Sequence, residues 1–230
     1  MSDTSLARRL TAEGLGTAFL LAIVVGSGIM GERLASGNDA IALLANTMAT
    51  GAGLVALISV FGPLSGAHFN PVVSLWFFLR REASLSVTMG YIVVQVIGGV
   101  LGVWAAHVMF DLPVVQTSHK LRDGFSLMFA EGVATFGLLM IIAGGLRFKT
   151  AVPVLVGLYI TAAYWFTAST SFANPAVTFA RSLSDTFAGI APASAPGFIL
   201  AQLIGGLAAF VVCGWLFHEA RLTRDTLSPP

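Results

Sequence analysis

Apolar residues run along the chain in six long blocks, near 10–31, 40–60, 85–109, 125–146, 151–170 and 195–217, with polar residues gathered between them. Each block approaches the roughly 20 residues that an α-helix needs to cross a ~30 Å hydrocarbon core. The pattern therefore predicts six transmembrane helices. A secretory leader would give one such run with a cleavage site near the start, and six runs of similar length argue against that reading. Two further stretches, 61–80 and 171–194, are apolar but interrupted by Gly, Pro and Asn. Each carries an Asn-Pro step, Asn70-Pro71 and Asn174-Pro175. Such a step opens a helix well, because Asn caps the first turn and Pro takes the first helical position with its fixed φ. The apolar runs that follow, 72–79 and 176–183, are too short to span. A short helix at membrane depth is tolerated only where protein buries it or a wet cavity runs beside it. Two interfacial loops are the plainer alternative, and the pairing of the two steps speaks against it.

The two halves of the chain resemble each other. TAEGLGTAFLL at 11–21 matches FAEGVATFGLL at 129–139 in six of eleven positions, among them Glu13 with Glu131 and Thr17 with Thr135. YIVVQVIGGV at 91–100 likewise aligns with FILAQLIGGL at 198–207, sharing Gln95 with Gln202 and both glycines. The Asn-Pro steps lie between these matches. The unit is span, span, broken segment, span, occurring near 10–110 and again near 125–217 within a single domain, 1–230. Each unit has an odd number of full spans, so the second copy runs through the membrane inverted. One broken segment then enters from each side, and the two short helices meet at the midplane with their N-termini facing. The expected class is an all-α membrane protein of six transmembrane helices and two re-entrant half-helices.

Composition sharpens this picture. Hydrophobic residues make up 56% and charged residues 10%, against about 25% charged in soluble domains. The mean hydropathy is +0.86, as expected of a chain solvated mainly by lipid. So many apolar residues exclude a disordered chain. A net charge of +1 without a basic patch argues against a nucleic-acid partner. The single Cys213 excludes a disulfide scaffold. With the N-terminus cytoplasmic, that side holds Arg8, Arg9, Arg80, Arg81, Arg147, Lys149, Arg221 and Arg224, against Arg33, Lys120, Arg122 and Arg181 opposite. The excess favours both termini inside.

Two helix N-termini facing each other make a positive centre that opposes cations and hydronium. The amides of Asn70 and Asn174 can donate to a passing neutral oxygen, and carbonyls at 66–69 and 170–173 can accept. Such a path suits small neutral polar solutes. Glu13 and Glu131 are ionisable residues inside spans, a functional signal by default. Their recurrence at equivalent places favours a structural task, accepting hydrogen bonds from the broken loop beside each. No phosphate loop, catalytic triad, cofactor motif or metal cluster is present, which argues against an enzyme. A proton-coupled transporter would need an acid–base pair facing the path, for which Glu13 and Glu131 are the candidates. His107, His119 and His218 are scattered, whereas His68 sits in the first broken loop.

SGAHFNPVVS at 65–74 resembles the first signature loop of the aquaporin, or major intrinsic protein, family, and FANPA at 172–176 resembles the second. The likeness runs from about 12 to 214. It implies a right-handed bundle, usually a homotetramer with one pore per subunit, with Asn70 and Asn174 at the pore midplane and His68, Pro71, Pro175, Glu13 and Glu131 shaping the loops. Val72 replaces the usual Ala of the first motif. Members of the family usually place Arg directly after the second Asn-Pro-Ala, and here that position is Val177. An ungapped count puts the other filter positions on Thr50, Ala162 (Ala163 if the count slips by one) and Ser171. Water channels of the family set an aromatic, a His and the Arg there; glycerol channels keep the Arg and usually add Asp, where this chain has Thr178. Four small uncharged residues imply a wider, less polar filter. Arg181, one helical turn on, could point back to the pore mouth or be a loop or subunit-interface charge. The pattern is similar to a branch of bacterial inner-membrane channels associated with arsenic resistance. It implies downhill passage of arsenite, As(OH)3, and methylated arsenicals, with a general water, glycerol and urea facilitator as the alternative.

Overall fold

The computed structural model describes residues 4–217, so His218, Arg221 and Arg224 lie outside the described residues. Eight helices and no strands occur among the described residues: α1 (Leu6–Leu34), α2 (Asp39–Ser65), α3 (Pro71–Leu79), α4 (Leu85–Met109), α5 (Phe125–Arg147), α6 (Val152–Phe166), α7 (Pro175–Arg181) and α8 (Ala195–Leu216). Local chemistry sets their limits. Ser5, Asn38 and Ser84 cap α1, α2 and α4 by accepting from backbone N–H groups of the first turn. α2 ends at Gly66, whose φ of 93° is a left-handed stop that glycine adopts without penalty.

Five of the helices are long and apolar enough to cross a membrane, and α6 is the short one at 15 residues. The apolar block at 151–170 overstates it. From Thr167 onward the sequence is rich in Ser and Thr, whose hydroxyls compete for backbone groups. Thr167 Oγ1 donates to the Ala163 carbonyl at 2.6 Å, and Ser169 Oγ accepts from the Ser171 N–H at 3.3 Å. The chain therefore leaves the helix and reaches Asn174 through a loop in which Thr170, Ser171 and Ala173 are left-handed. α7 likewise stops at Arg181, two residues short of the apolar run, where the backbone turns so that Ser182 can accept from Ser118 N at 2.9 Å.

The order span, span, half-helix, span occurs twice, in α1–α4 and in α5–α8. α1 packs along α2 and α4, α5 packs along α6 and α8, and α2 meets α6 between the halves. Each half-helix inserts into the opposite half as well as its own: α3 touches α4 and α8, and α7 touches α8, α4 and α1. Small residues permit the closest approaches. A methyl group at Gly98 or Gly102 would overlap the carbonyl of Gly14 or Ala18 on α1, and one at Gly205 would overlap the Gly132 carbonyl on α5. The outward faces carry exposed Phe19, Val93, Ile97, Phe129, Leu200 and Ile204. An apolar belt of this extent has no place on a soluble monomer and fits a lipid-facing surface. The protein is a multi-pass membrane protein.

Candidate functional site

The two Asn-Pro steps organise the centre of the bundle. Asn70 Oδ1 accepts from Val72 N at 2.9 Å, and Asn174 Oδ1 accepts from Ala176 N at 3.0 Å and Val177 N at 3.3 Å. Pro71 and Pro175 occupy the first helical positions, where no N–H is needed. The side-chain amides then cross between halves. Asn70 Nδ2 donates to the Ala173 carbonyl, and Asn174 Nδ2 donates to the Phe69 carbonyl, both at 2.7 Å. An amide nitrogen carries two N–H donors. One on each Asn is engaged here, and both residues line the central cavity, so a second donor remains for its contents.

The loops ahead of the Asn residues are held in an unfavourable backbone. Ala67 and Phe69 in one, and Ser171 and Ala173 in the other, have φ between 47° and 50°. Left-handed conformations cost a residue with a Cβ about 1–2 kcal/mol each. The carboxylates of α1 and α5 offset that cost. Glu13 Oε1 accepts from Ser65 Oγ at 2.7 Å and His68 N at 2.9 Å; its Oε2 accepts from Phe69 N at 2.7 Å and Gln95 Nε2 at 2.9 Å. Glu131 takes Phe172 N and Ala173 N at 2.8 Å and Gln202 Nε2 at 2.6 Å. Both acids are fully buried and surrounded by donors. Neither lines the cavity, so neither presents an acid–base pair to it. His68 does line it, stacked on Phe77 with ring centroids 4.5 Å apart and bonded through Nδ1 to Ser74 Oγ at 3.1 Å.

The cavity measures about 120 Å³. It extends from Phe77, Leu146 and Val152 at one end, past the two Asn residues, to Thr50, Ser171, Val177 and Arg181 at the other. Leu20, Val24, Val73 and Leu138 make much of the wall apolar. Of the four positions expected in the filter, Thr50, Ser171 and Val177 are present in the wall. Ala162 is not: it is exposed on the outer face of α6. The inward stripe of α6 is Val152, Val156, Ile160 and Tyr164, at four-residue spacing. Ala162 is two residues from each of the last two, roughly 200° around a helix of 3.6 residues per turn. Ala163 is buried but does not reach the cavity either. Tyr164 takes the place assigned to alanine, with its hydroxyl 3.4 Å from Thr50 Oγ1. The four-residue stripe was the available signal, and an ungapped count across the Ser/Thr run missed it.

Of the two alternatives for Arg181, the structure fits the first: the side chain is 2% exposed within the protomer and lines the cavity. Its guanidinium carbon lies 3.4 Å from the centre of the Phe172 ring, and its Nε donates to the Ala188 carbonyl. Around this mouth, Arg122 donates to Gly189 O at 2.9 Å and Lys120 to Phe187 O at 2.8 Å. Burial, and then the charges of Arg122 and Arg181, hold the Lys120 amine below its ordinary value. His107 bonds Val114 O and Ser184 Oγ, and His119 pairs with Asp185 at 3.1 Å on the surface. The histidines are thus dispersed, and no cluster of three metal-ligating side chains occurs among the described residues.

A bundle of this topology with two crossed Asn caps at its centre has known counterparts. The family model described as Major intrinsic protein matches residues 1–149. Aquaglyceroporin AqpS of Rhizobium meliloti is 54% identical over 230 residues, covering 100% of this chain and 98% of the relative. The chain belongs to the major intrinsic protein family. A probable aquaporin, AqpM of Archaeoglobus fulgidus, is 29% identical and covers 93% of this chain and 97% of its own. The X-ray structure of the aquaglyceroporin from Plasmodium falciparum superposes with a TM-score of 0.73 at 20% identity, covering 93% and 96% of the two chains, a likeness of fold. Major intrinsic proteins are membrane channels rather than enzymes, so the cavity is the channel of a conduit for small solutes.

Proposed function

We propose that the protein is a facilitator of the aquaglyceroporin type, passing small neutral polyhydroxylated solutes downhill, with As(OH)3 and methylated arsenicals as its principal solutes. The observation that carries this reading is Val177 in the cavity wall directly after the second Asn-Pro-Ala, beside the small Thr50 and Ser171. A valine there leaves space where a long side chain would stand. The remaining wall is mixed: Thr50, Tyr164 and Ser171 bring hydroxyls, and Leu20 and Val24 bring apolar surface. As(OH)3 presents three hydroxyls, as glycerol does, and is neutral near pH 7. The AqpS relative, itself named an aquaglyceroporin, supports the class of solute. The setting we assign is a bacterial inner membrane with both termini cytoplasmic and a homotetramer with one pore per subunit.

The deciding experiment is uptake of As(OH)3, glycerol and urea into proteoliposomes at pH 7, with osmotic water flux measured in the same vesicles. Fast As(OH)3 uptake that Val177→Arg suppresses more than water flux is the expected result. Water flux without As(OH)3 uptake would refute the arsenic reading. Equal suppression of every solute by Val177→Arg would refute the placement of Val177 in the filter.

A further inference from the structure

We infer that Arg181 is the selectivity cation of this channel, delivered into the constriction from one helical turn beyond the position that Val177 occupies. Side chains on a helix tilt towards its N-terminus, and residues four apart share a face. A long side chain at 181 therefore folds back over 177 towards the loop ahead of Asn174. The guanidinium does so, resting on Phe172, two residues before the cap.

Its hydrogen bonding identifies what it faces. Nε is held by the Ala188 carbonyl, which anchors the group to the loop after α7. Nη1 is buried and has no hydrogen-bond partner among the described residues, and neither has the Ser171 hydroxyl oxygen, which lines the same cavity. The ion pairs among the described residues do not include Arg181. A guanidinium keeps its charge in proteins, and a buried charged donor without a partner is costly. The partner is the content of the cavity: an oxygen of a permeating solute or water receives Nη1–H, while Ser171 contacts a neighbouring hydroxyl. The same fixed charge repels cations where Arg181 lines the path. A filter with Val177 is thus not a filter without a cation.

This inference rests on the channel reading of the cavity and not on the choice of arsenic as solute. The test uses purified full-length protein in planar bilayers and proteoliposomes, with K⁺ and H⁺ currents recorded beside water and glycerol flux. Arg181→Gln should raise cation conductance at least tenfold relative to water flux. Moving the guanidinium back, in Val177→Arg/Arg181→Gln, should restore exclusion. A folded Arg181→Gln that remains cation-tight with unchanged solute fluxes would overturn the inference and leave Arg181 as a loop tether. Should Arg181→Gln not fold, Arg181→Lys decides: it keeps the charge but lacks the second nitrogen, so glycerol flux should fall about fivefold relative to water, and an unchanged ratio would overturn the proposal. Wild-type protein that passes neither water nor glycerol would instead refute the channel reading itself.

Discussion

Replacing Glu13 and Glu131 by glutamine should damage the two halves of the channel unequally, and the difference can be worked from the hydrogen bonds. Glu13 receives four donors, two on each oxygen. Glutamine keeps one oxygen and turns an NH2 towards the other two donors, so two bonds to a charged acceptor are lost. At about 1.5–3 kcal/mol each this is about 3–6 kcal/mol. Glu131 receives one donor on Oε1 and two on Oε2. Glutamine can keep the pair and lose one, at about 1.5–3 kcal/mol. For a chain of this size about 1 kcal/mol moves Tm by about 2–4 °C. Glu13→Gln should therefore melt roughly 6–24 °C below wild type and Glu131→Gln about half as far. Cys213 provides the assay, because it is the only cysteine and is 1% exposed, so a thiol-reactive dye reports unfolding in detergent. Water flux should fall with Glu13→Gln, since the strained loop that presents the Phe69 carbonyl to Asn174 loses its anchor. Equal Tm shifts for the two variants, or a Glu13→Gln shift under about 2 °C, would refute the anchoring argument.

Two other outcomes are expected. Gly98→Val and Gly205→Val should each prevent the close α1/α4 or α5/α8 contact and lower Tm by several degrees, by overpacking worth at least about 1–3 kcal/mol. Gly62→Ala and Gly214→Ala, with open space around each added methyl, should not lower Tm this way. At the mouth, donors from the His119 backbone and ring hold the Asp185 carboxyl below its usual range. A depressed carboxyl stabilises above its ordinary value of about 3.9 and loses that contribution as pH falls through its lowered value. Hydrogen-exchange protection of the His119 N–H, corrected for intrinsic rates, should therefore drop below about pH 4 and be low at all pH in Asp185→Ala, which has no acceptor there. Protection that ignores both changes would exclude this link between the 118–123 and 182–191 segments.

The architecture was legible because it rests on periodicity and on capping. Six apolar blocks, two Asn-Pro steps and a carboxylate recurring at 13 and 131 carry local physics that needs no partner to be recognised. What escaped depends on how the chain is delivered in space. Tyr164 was missed because the count to the filter crossed 167–171, where hydroxyls end α6 and left-handed residues reset the path. Arg181 stays open between two readings because a sequence shows where a side chain starts and not where it ends. Its Cα lies a turn away from the constriction, and only the backward tilt, the Phe172 ring and the Ala188 carbonyl bring the charge to the wall.

The crossed Asn amides also have a consequence for the order of assembly. Asn70 reaches across to Ala173, 103 residues later, and Asn174 reaches back 105 residues to Phe69. At roughly 5–20 residues per second of synthesis, the first half waits on the order of 5–20 s for its acceptor. During that interval α3 has neither α7 nor α8 to lie against, although its own span α4 is already made. Neither re-entrant loop can be completed by the half that encodes it. The conduit is completed only when the last third of the chain has been inserted, and a nascent chain halted before α7 holds Asn70 without the Ala173 carbonyl that receives its amide.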